Sequence, residues 1–287
     1  MWVVGCQRPA PLRVVAAGDV QLGDTLTTTP FGDGALLGGE LRLCNLEGPL
    51  TARGSVGDER FRFDPARAGW LRERIDVVSL ANNHALDQGA EGRDDTVRAL
   101  ATVDVAAAYD AHDAIVTRRR RQVTVMARAF APDADLDGAE AAALVAAVAR
   151  AARPTIVSLH WGHSGMLLPA PAQRRLGARL VDAGAVAVVG HGPHTLQAVE
   201  RHGRGVIAYS LGNFAFGCPC TDVADAYLLG FTIDGDAARD VVLTPIAAGL
   251  ARSPSLADDA GLRALLADLS RDLGSDVTID GQVVRVR

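Results

Sequence analysis

The sequence predicts an α/β protein, a mixed two-sheet sandwich with outer helices. Short apolar runs alternate with helix-spaced segments over the first two thirds of the chain, the pattern of strands joined by crossover helices. The last third instead alternates residue by residue, as antiparallel strands do. Five of the apolar runs also end in the same manner, on polar residues. Residues 14–17 stop on Gly18-Asp19 and residues 41–44 on Asn45-Leu46-Glu47-Gly48. Residues 77–81 stop on Asn82-Asn83-His84, residues 155–159 on His160-Trp161-Gly162, and residues 185–189 on Gly190-His191-Gly192-Pro193-His194. Open α/β sheets keep their ligands just beyond the carboxyl ends of strands, so these residues outline a metal site on one rim.

Taken in order, residues 12–17 form the first strand, with residues 18–23 turning out of it, and the Gly- and Thr-rich segment to Gly39 is loop. Residues 41–44 are a second strand and residues 51–64 a polar surface loop. Asp64 and Pro65 open a helix to about Arg74, Asp64 as N-cap and Pro65 at the first position. The β-branched run 77–81 is a strand buried on both faces. Residues 91–101 are helical, with Thr96, Val97, Leu100 and Ala101 inward, and residues 103–107 are the next strand. Arg118-Arg119-Arg120-Arg121 reads as a solvated turn before a strand over 122–127. Residues 139–152 are an Ala-rich helix with Leu144, Val145 and Val148 on one face, broken by Pro154. Residues 171–183 are helical, with Gly184 suited to the C-cap. Residues 206–211 form a strand ending on Gly212-Asn213-Phe214. Antiparallel strands follow from Ala226, then a helix over 262–273 and a strand pair around Asp280-Gly281.

Composition bounds the function. With 287 residues, 48% hydrophobic and 22% charged, the chain buries a sizeable core. One domain over residues 12–287, after a tail of residues 1–11, is preferred because candidate site residues from Asp19 to His194 must converge. A net charge of −5 with interspersed signs argues against nucleic-acid binding. Every basic residue is Arg, a compositional bias without chemical content. No apolar run approaches the roughly 20 residues that cross a bilayer. Val3-Val4-Gly5-Cys6 followed by a Pro-containing stretch has the look of a lipoprotein cleavage site, although a signal needs a basic start and a longer apolar region. Cell envelope and cytoplasm therefore both stay open. Cys218-Pro219-Cys220 is too tight for an unstrained disulfide and lacks zinc-knuckle spacing, so it is read as a loop with incidental thiols, and no disulfide framework is expected.

Singly, Asp19 reads as a turn aspartate, Glu47 as a loop carboxylate and His160 as a hydrogen-bonded core residue. Two amides and an imidazole in a row at 82–84 are costly to bury without a task. His191 and His194 flank a Gly-Pro turn that can aim both rings into one space, as zinc, manganese or iron requires. Together these groups suffice for two divalent ions about 3.5–4 Å apart, which would polarise a phosphoryl oxygen and generate a bridging hydroxide. Glu47 or Asp19 could bridge them. His84 is then the candidate general acid or transition-state stabiliser.

The blocks Gly18-Asp19, residues 45–50 (Asn-Leu-Glu-Gly-Pro-Leu), residues 80–89 (Leu-Ala-Asn-Asn-His-Ala-Leu-Asp-Gln-Gly), Leu159-His160-Trp161-Gly162, residues 190–194 and residues 209–214 (Tyr-Ser-Leu-Gly-Asn-Phe) resemble the CapA family. That family is named for bacterial capsule poly-γ-glutamate synthesis and looks like a branch of the calcineurin-like metallophosphoesterases. The resemblance implies a four-layer α-β-β-α sandwich with mixed sheets and a dinuclear centre of manganese, iron or zinc. It implies Asp19, Glu47, Asn83, His160, His191 and His194 as metal ligands and His84 as the catalytic imidazole, with Asn45 and Asn213 near the site. The chain departs from the pattern at three places. Gln21 stands where classical phosphoesterases carry a His, Gly192 where the family shows a second His, and His163-Ser164 where a carboxylate is common. The stretch from Met126 to Pro154 is also short, which would leave the site more open. Three readings follow. The first is a metal-dependent hydrolase of a phosphoester or γ-glutamyl substrate. The second is an accessory protein working with membrane-bound capsule-synthesis partners, and the third is a plain binding domain.

Overall fold

From the first strand, Leu12, Val14 and Ala16 enter one apolar cluster while Ala17 and Val20 enter another, so this strand is covered on both faces. A computed structural model describes residues 9–31, 35–55, 60–110, 112–152, 154–217, 225–248 and 253–287. The Cys6 and Cys218-Pro219-Cys220 readings lie outside them. The elements in chain order are β1 (Leu12–Gln21), β2 (Leu41–Leu46), β3 (Val77–Ser79), α1 (Gly89–Ala101), β4 (Ala106–Ala108), β5 (Ala114–Arg118) and β6 (Arg121–Ala129). Then come α2 (Ala139–Arg150), β7 (Thr155–His160), α3 (Pro171–Asp182), β8 (Ala185–His191), β9 (Val199–His202), β10 (Gly205–Ala208) and β11 (Asn213–Phe216). β12 (Asp225–Asp234), β13 (Ala237–Ala247), β14 (Ser255–Leu256), α4 (Ala260–Asp272), β15 (Val277–Asp280) and β16 (Val283–Val286) complete the described chain.

The first sheet runs β15-β16-β13-β12-β1-β2-β3-β4, with β11 also on β1 and β14 on β13; the second runs β5-β6-β7-β8-β10-β9. Both are mixed. One cluster, including Val14, Leu43, Val77, Val125, Ile156 and Val189, fills the space between them. α1 covers the outer face of the first sheet through Leu100, and α2 and α3 cover the second through Leu144, Val148, Leu176 and Leu180. This is the expected four-layer α-β-β-α arrangement. α4 adds Leu262, Leu266 and Ala267 to the inter-sheet cluster.

Several local expectations change. β1 does not end before Gly18 but continues to Gln21, with a register shift between Asp19 and Val20. Past that shift its edge is taken by β11, while β12 holds the same edge over Leu12–Ala16. The strand expected over 206–211 closes earlier, on Ala208, as β10 of the second sheet, and a further strand, β11, opens at Asn213 in the first. The segment after Asp64 is a 3-10 helix, Pro65–Trp70, not an α-helix, although Asp64 does cap it through Ala66 N–H at 2.8 Å. Gly69 weakens an α-helix there, and Glu73 at φ 61° swings the chain into β3. Ala101 is exposed, so α1 turns Gly92, Thr96 and Leu100 inward.

The arginine run is only half solvated. Arg119 and Arg120 both adopt positive φ (49° and 63°), the two-residue turn that matches hairpin twist, and Arg118 pairs with Arg121 across it. Arg121 is buried and donates to the carbonyls of Pro9 and Gly235. Arg118 reaches Asp76 at 2.7 Å, and Arg42 Nε reaches the same carboxylate at 2.9 Å. Burial pushes the Asp76 pKa up, but the two guanidiniums outweigh it and hold the group below its ordinary 3.8. A depressed folded pKa adds stability that is complete above the unfolded value and is lost as pH falls through the folded one. Asp76→Asn is therefore expected to cost about 1–3 kcal/mol near pH 7. In urea titrations its deficit against wild type should shrink below pH 3.8. A deficit constant from pH 7 to below 3 would contradict the ion-pair account.

Candidate metal centre

The site lies where the carboxyl ends of β1, β2, β7 and β8 meet. Asp19 and Glu47 are fully buried, and two unpaired carboxylates could not remain ionised there. Their neighbours are imidazoles. His191 Nδ1 lies 3.0 Å from Asp19 Oδ1, and His194 Nδ1 lies 3.3 Å from Asp19 Oδ2. His194 Nε2 stands 3.6 Å and His160 Nε2 3.5 Å from Glu47 Oε1. Asp19, Glu47 and His194 each offer a ligand atom within 4.8 Å of the others. Five residues spread from Asp19 to His194 in sequence thus share one buried spot.

Burial pushes the Asp19 pKa up, but the adjacent imidazoles of His191 and His194 hold its carboxyl well below the usual carboxylate range. Burial pushes His194 down, but Asp19 and Glu47 overrule it and raise the ring to about 10. Among the described residues the thiol is Cys44, which is pushed far up by burial and then by the Asp19 charge, so it stays an inert thiol.

Amides hold the knot from outside. Asn45 Nδ2 donates to Asp19 Oδ1 at 2.9 Å, and Asn82 Nδ2 donates in turn to Asn45 Oδ1 at 3.0 Å and to the Leu46 carbonyl at 2.9 Å. Asn45 therefore orients the carboxylate, and Asn82 orients Asn45. Sequence reasoning assigns Asn82 no role; its signal is the unusual pair of adjacent amides at a strand end. Asn213 Oδ1 lies 2.9 Å from His194 Nδ1. An amide oxygen only accepts, so Nδ1 carries a hydrogen toward Asn213, and this fixes the ring with Nε2 facing Glu47 at 3.6 Å. The sheet crossing makes this possible, because Asn213 pairs with Asp19 in the β1–β11 register.

Gly192 sits at φ 105°, and a Cβ there would come within 3.0 Å of His160 Cε1 and 3.1 Å of the Trp161 carbonyl. A side chain at 192 would be strained at this φ and would crowd the His160 ring, which accords with the Gly seen there in sequence. His194 also has a positive φ, 59°, a strained conformation for a non-glycine residue that its contacts with Asp19 and Asn213 hold in place. Gln21 does not face the knot: its Oε1 accepts from Gly23 N–H at 3.1 Å and shapes the turn. His163 turns outward to Asp133 at 3.1 Å.

His84 and Asn83 stand apart from the carboxylates. His84 Nδ1 lies 2.8 Å from Asp87 Oδ2, its backbone N–H donates to Asn82 Oδ1 at 3.1 Å, and its ring stacks on Phe61 at 4.1 Å between centroids. Asp87 is itself fixed by Phe61 N–H at 2.6 Å. Asn83 is exposed and opens on a cavity of about 320 Å³ that His160 and His194 also line.

The donor set fits divalent cations. Both oxygens of Glu47, Nε2 of His160 and Nδ1 of His191 are buried without a hydrogen-bond partner, among groups 3.0–3.6 Å apart. Buried polar atoms are nearly always satisfied, so acceptors converging without hydrogens between them have the arrangement of metal ligands.

Comparison with known proteins agrees with this picture. Residues 13–218 match the family model described as bacterial capsule synthesis protein PGA_cap. The capsule biosynthesis protein CapA of Bacillus anthracis is 35% identical over 192 residues, 58% of this chain and 46% of that protein. The PGA biosynthesis protein CapA of Bacillus subtilis (strain 168) is 30% identical over 220 residues, 68% of this chain and 57% of that protein. The chain spans about half the length of the curated relatives it matches. A crystal structure of a hypothetical protein from Thermus thermophilus superposes with a TM-score of 0.53 over 86% of this chain and 99% of that one, at 17% identity, and shares the fold. With the family model spanning most of its length and the CapA proteins among its relatives, the chain belongs to the CapA family of bacterial capsule synthesis proteins.

Proposed function

We propose that the chain is a metal-dependent hydrolase acting on a phosphoester. One observation carries the reading: the Glu47 oxygens and the His160 and His191 nitrogens are buried, convergent and without hydrogen-bond partners, beside an open cavity. Asp19, Glu47, His160, His191 and His194 would hold two divalent ions, manganese, iron or zinc, with Asn83 reaching in from the cavity side. Bound ions would supply Lewis-acid polarisation of a phosphoryl oxygen and an activated water near neutral pH. The Asn82–Asn45 chain keeps Asp19 aimed, and Asn213 keeps Nε2 of His194 turned toward Glu47. His84 is suited to move a proton. Its Nδ1–H is directed to Asp87, which leaves Nε2 to protonate a departing oxygen.

The test is metal analysis of the purified protein together with hydrolysis of an aryl phosphate. His84→Ala is expected to lower kcat by about 10²–10⁴-fold with metal content unchanged. Asp87→Asn, which removes the charge that orients the ring, should lower kcat about tenfold with metal content unchanged. Loss of metal in His84→Ala would make His84 a ligand and refute this assignment.

A second reading is an accessory subunit of poly-γ-glutamate synthesis acting with membrane-bound partners. It is favoured by a relative's name: a probable polyglutamine synthesis accessory protein of Mycobacterium tuberculosis (strain ATCC 25618 / H37Rv) is 31% identical over 219 residues, 64% of this chain and 55% of that protein. Stoichiometric metal without turnover of aryl phosphates or γ-glutamyl amides would support it.

A further inference from the structure

The cavity beside the metal centre has a chemical character that the proposed chemistry does not require. Its far wall is the segment that continues β6: Ala129, Phe130, Ala131 and Pro132. Phe130 N–H donates to the His160 carbonyl at 2.8 Å, so this wall is fixed to the strand end that carries His160. The remaining side chains are the uncharged Asn83 and Ser164 and the imidazoles of His160 and His194. The chain has 29 basic residues, all Arg, and among the described residues none lines this cavity. At about 320 Å³ it has the volume of roughly ten waters at ~30 Å³ each, the lower end of ligand-pocket sizes.

The loop that supplies Gly162 and Ser164 to the cavity is apolar further on: Met166, Leu167 and Leu168 are 54%, 47% and 56% exposed. That loop is tied down by Gly165 N–H on the Pro193 carbonyl at 2.8 Å and by Gln197 Nε2 on the Met166 carbonyl at 2.6 Å.

We propose that this cavity is the subsite for an uncharged, apolar part of the substrate, so that the phosphoester hydrolysed here carries a hydrophobic substituent and is not a polyanion. The inference rests on the hydrolase reading above. Metal ions would neutralise the one anionic group placed on the knot; a chain with a carboxylate on every residue would set further charges against the exposed Ala131 and Pro132, a wall that among the described residues carries no Arg.

The test is calorimetric titration of the metal-loaded protein with 1-naphthylphosphonate, methylphosphonate and tri-γ-glutamate. The naphthyl compound is expected to bind about tenfold or more tighter than methylphosphonate, and tri-γ-glutamate weaker than both. Phe130→Ala should bring the two phosphonates to within about threefold of each other. Ala131→Gln, at an exposed position with no core to disturb, should do the same if Phe130→Ala fails to fold. Equal affinities in the wild type, or tri-γ-glutamate binding tightest, would overturn the subsite and leave the metal centre standing. Binding of neither phosphonate would overturn both.

Discussion

Asp19→Ala is expected to strip the protein of metal and to lower aryl-phosphate turnover by at least 10³-fold, about 4 kcal/mol at 1.36 kcal/mol per tenfold. The argument is positional. Asp19 contacts His191, His194 and Asn45 together, and the Gly192 N–H also points at it from 3.4 Å. Removing its carboxylate takes away a ligand and the counter-charge that sets two imidazoles. Truncation also opens a buried polar void, so lost metal alone could reflect misfolding. Asp19→Asn separates the two effects. It keeps an oxygen for Asn45 to donate to, and it should melt close to the metal-free wild type while still failing to retain metal. Metal analysis of both variants against their thermal midpoints checks this. Full metal occupancy in Asp19→Asn would remove Asp19 from the ligand set.

Gly18→Ala should have a large effect on stability for a change of one carbon. A Cβ on Gly18 would lie 1.9 Å from the Gly212 carbonyl oxygen, which is backbone and cannot rotate away. That carbonyl accepts the Asp19 N–H at 3.0 Å, and Gly212 is itself at φ 74°, where the chain passes from the second sheet to the first. Forcing β1 and the crossing apart is expected to cost about 3 kcal/mol, roughly 5–10 °C in thermal midpoint. It should also weaken metal binding, because the same separation draws Asn213 off His194. A variant with a wild-type midpoint and reduced metal affinity would mean that the crossing is more compliant than its contacts indicate.

The strand ends announced themselves because burial and chemistry conflict there. An apolar β-branched run stopping on Asp, Asn-Leu-Glu, Asn-Asn-His or Gly-His-Gly-Pro-His has no cheap structural explanation, and these runs do end at one place. The helices over 139–150 and 171–182 were readable from period and punctuation. Other features depend on contacts that no local pattern encodes. The arginine run reads as a solvated turn until Asp76, far away in sequence, is seen beside Arg118. The strand expected to reach Leu211 stops at Ala208, and β11 goes unread, because nothing in the composition of 206–216 marks the passage between sheets. Asn82 looks interchangeable with Asn83 until one is found buried on Asn45 and the other exposed on a cavity.

By itself the sequence determined which polar residues stand at the strand ends: acids, amides and imidazoles left where hydrophobic runs stop, a choice visible because a polar group is costly to bury without a task. Only the tertiary structure decided which of them meet. It set Asp19 against His191 and His194, His84 against Asp87, and Ala131 and Pro132 along the cavity wall, because register across a sheet and passage between sheets are settled by packing between segments far apart in the chain.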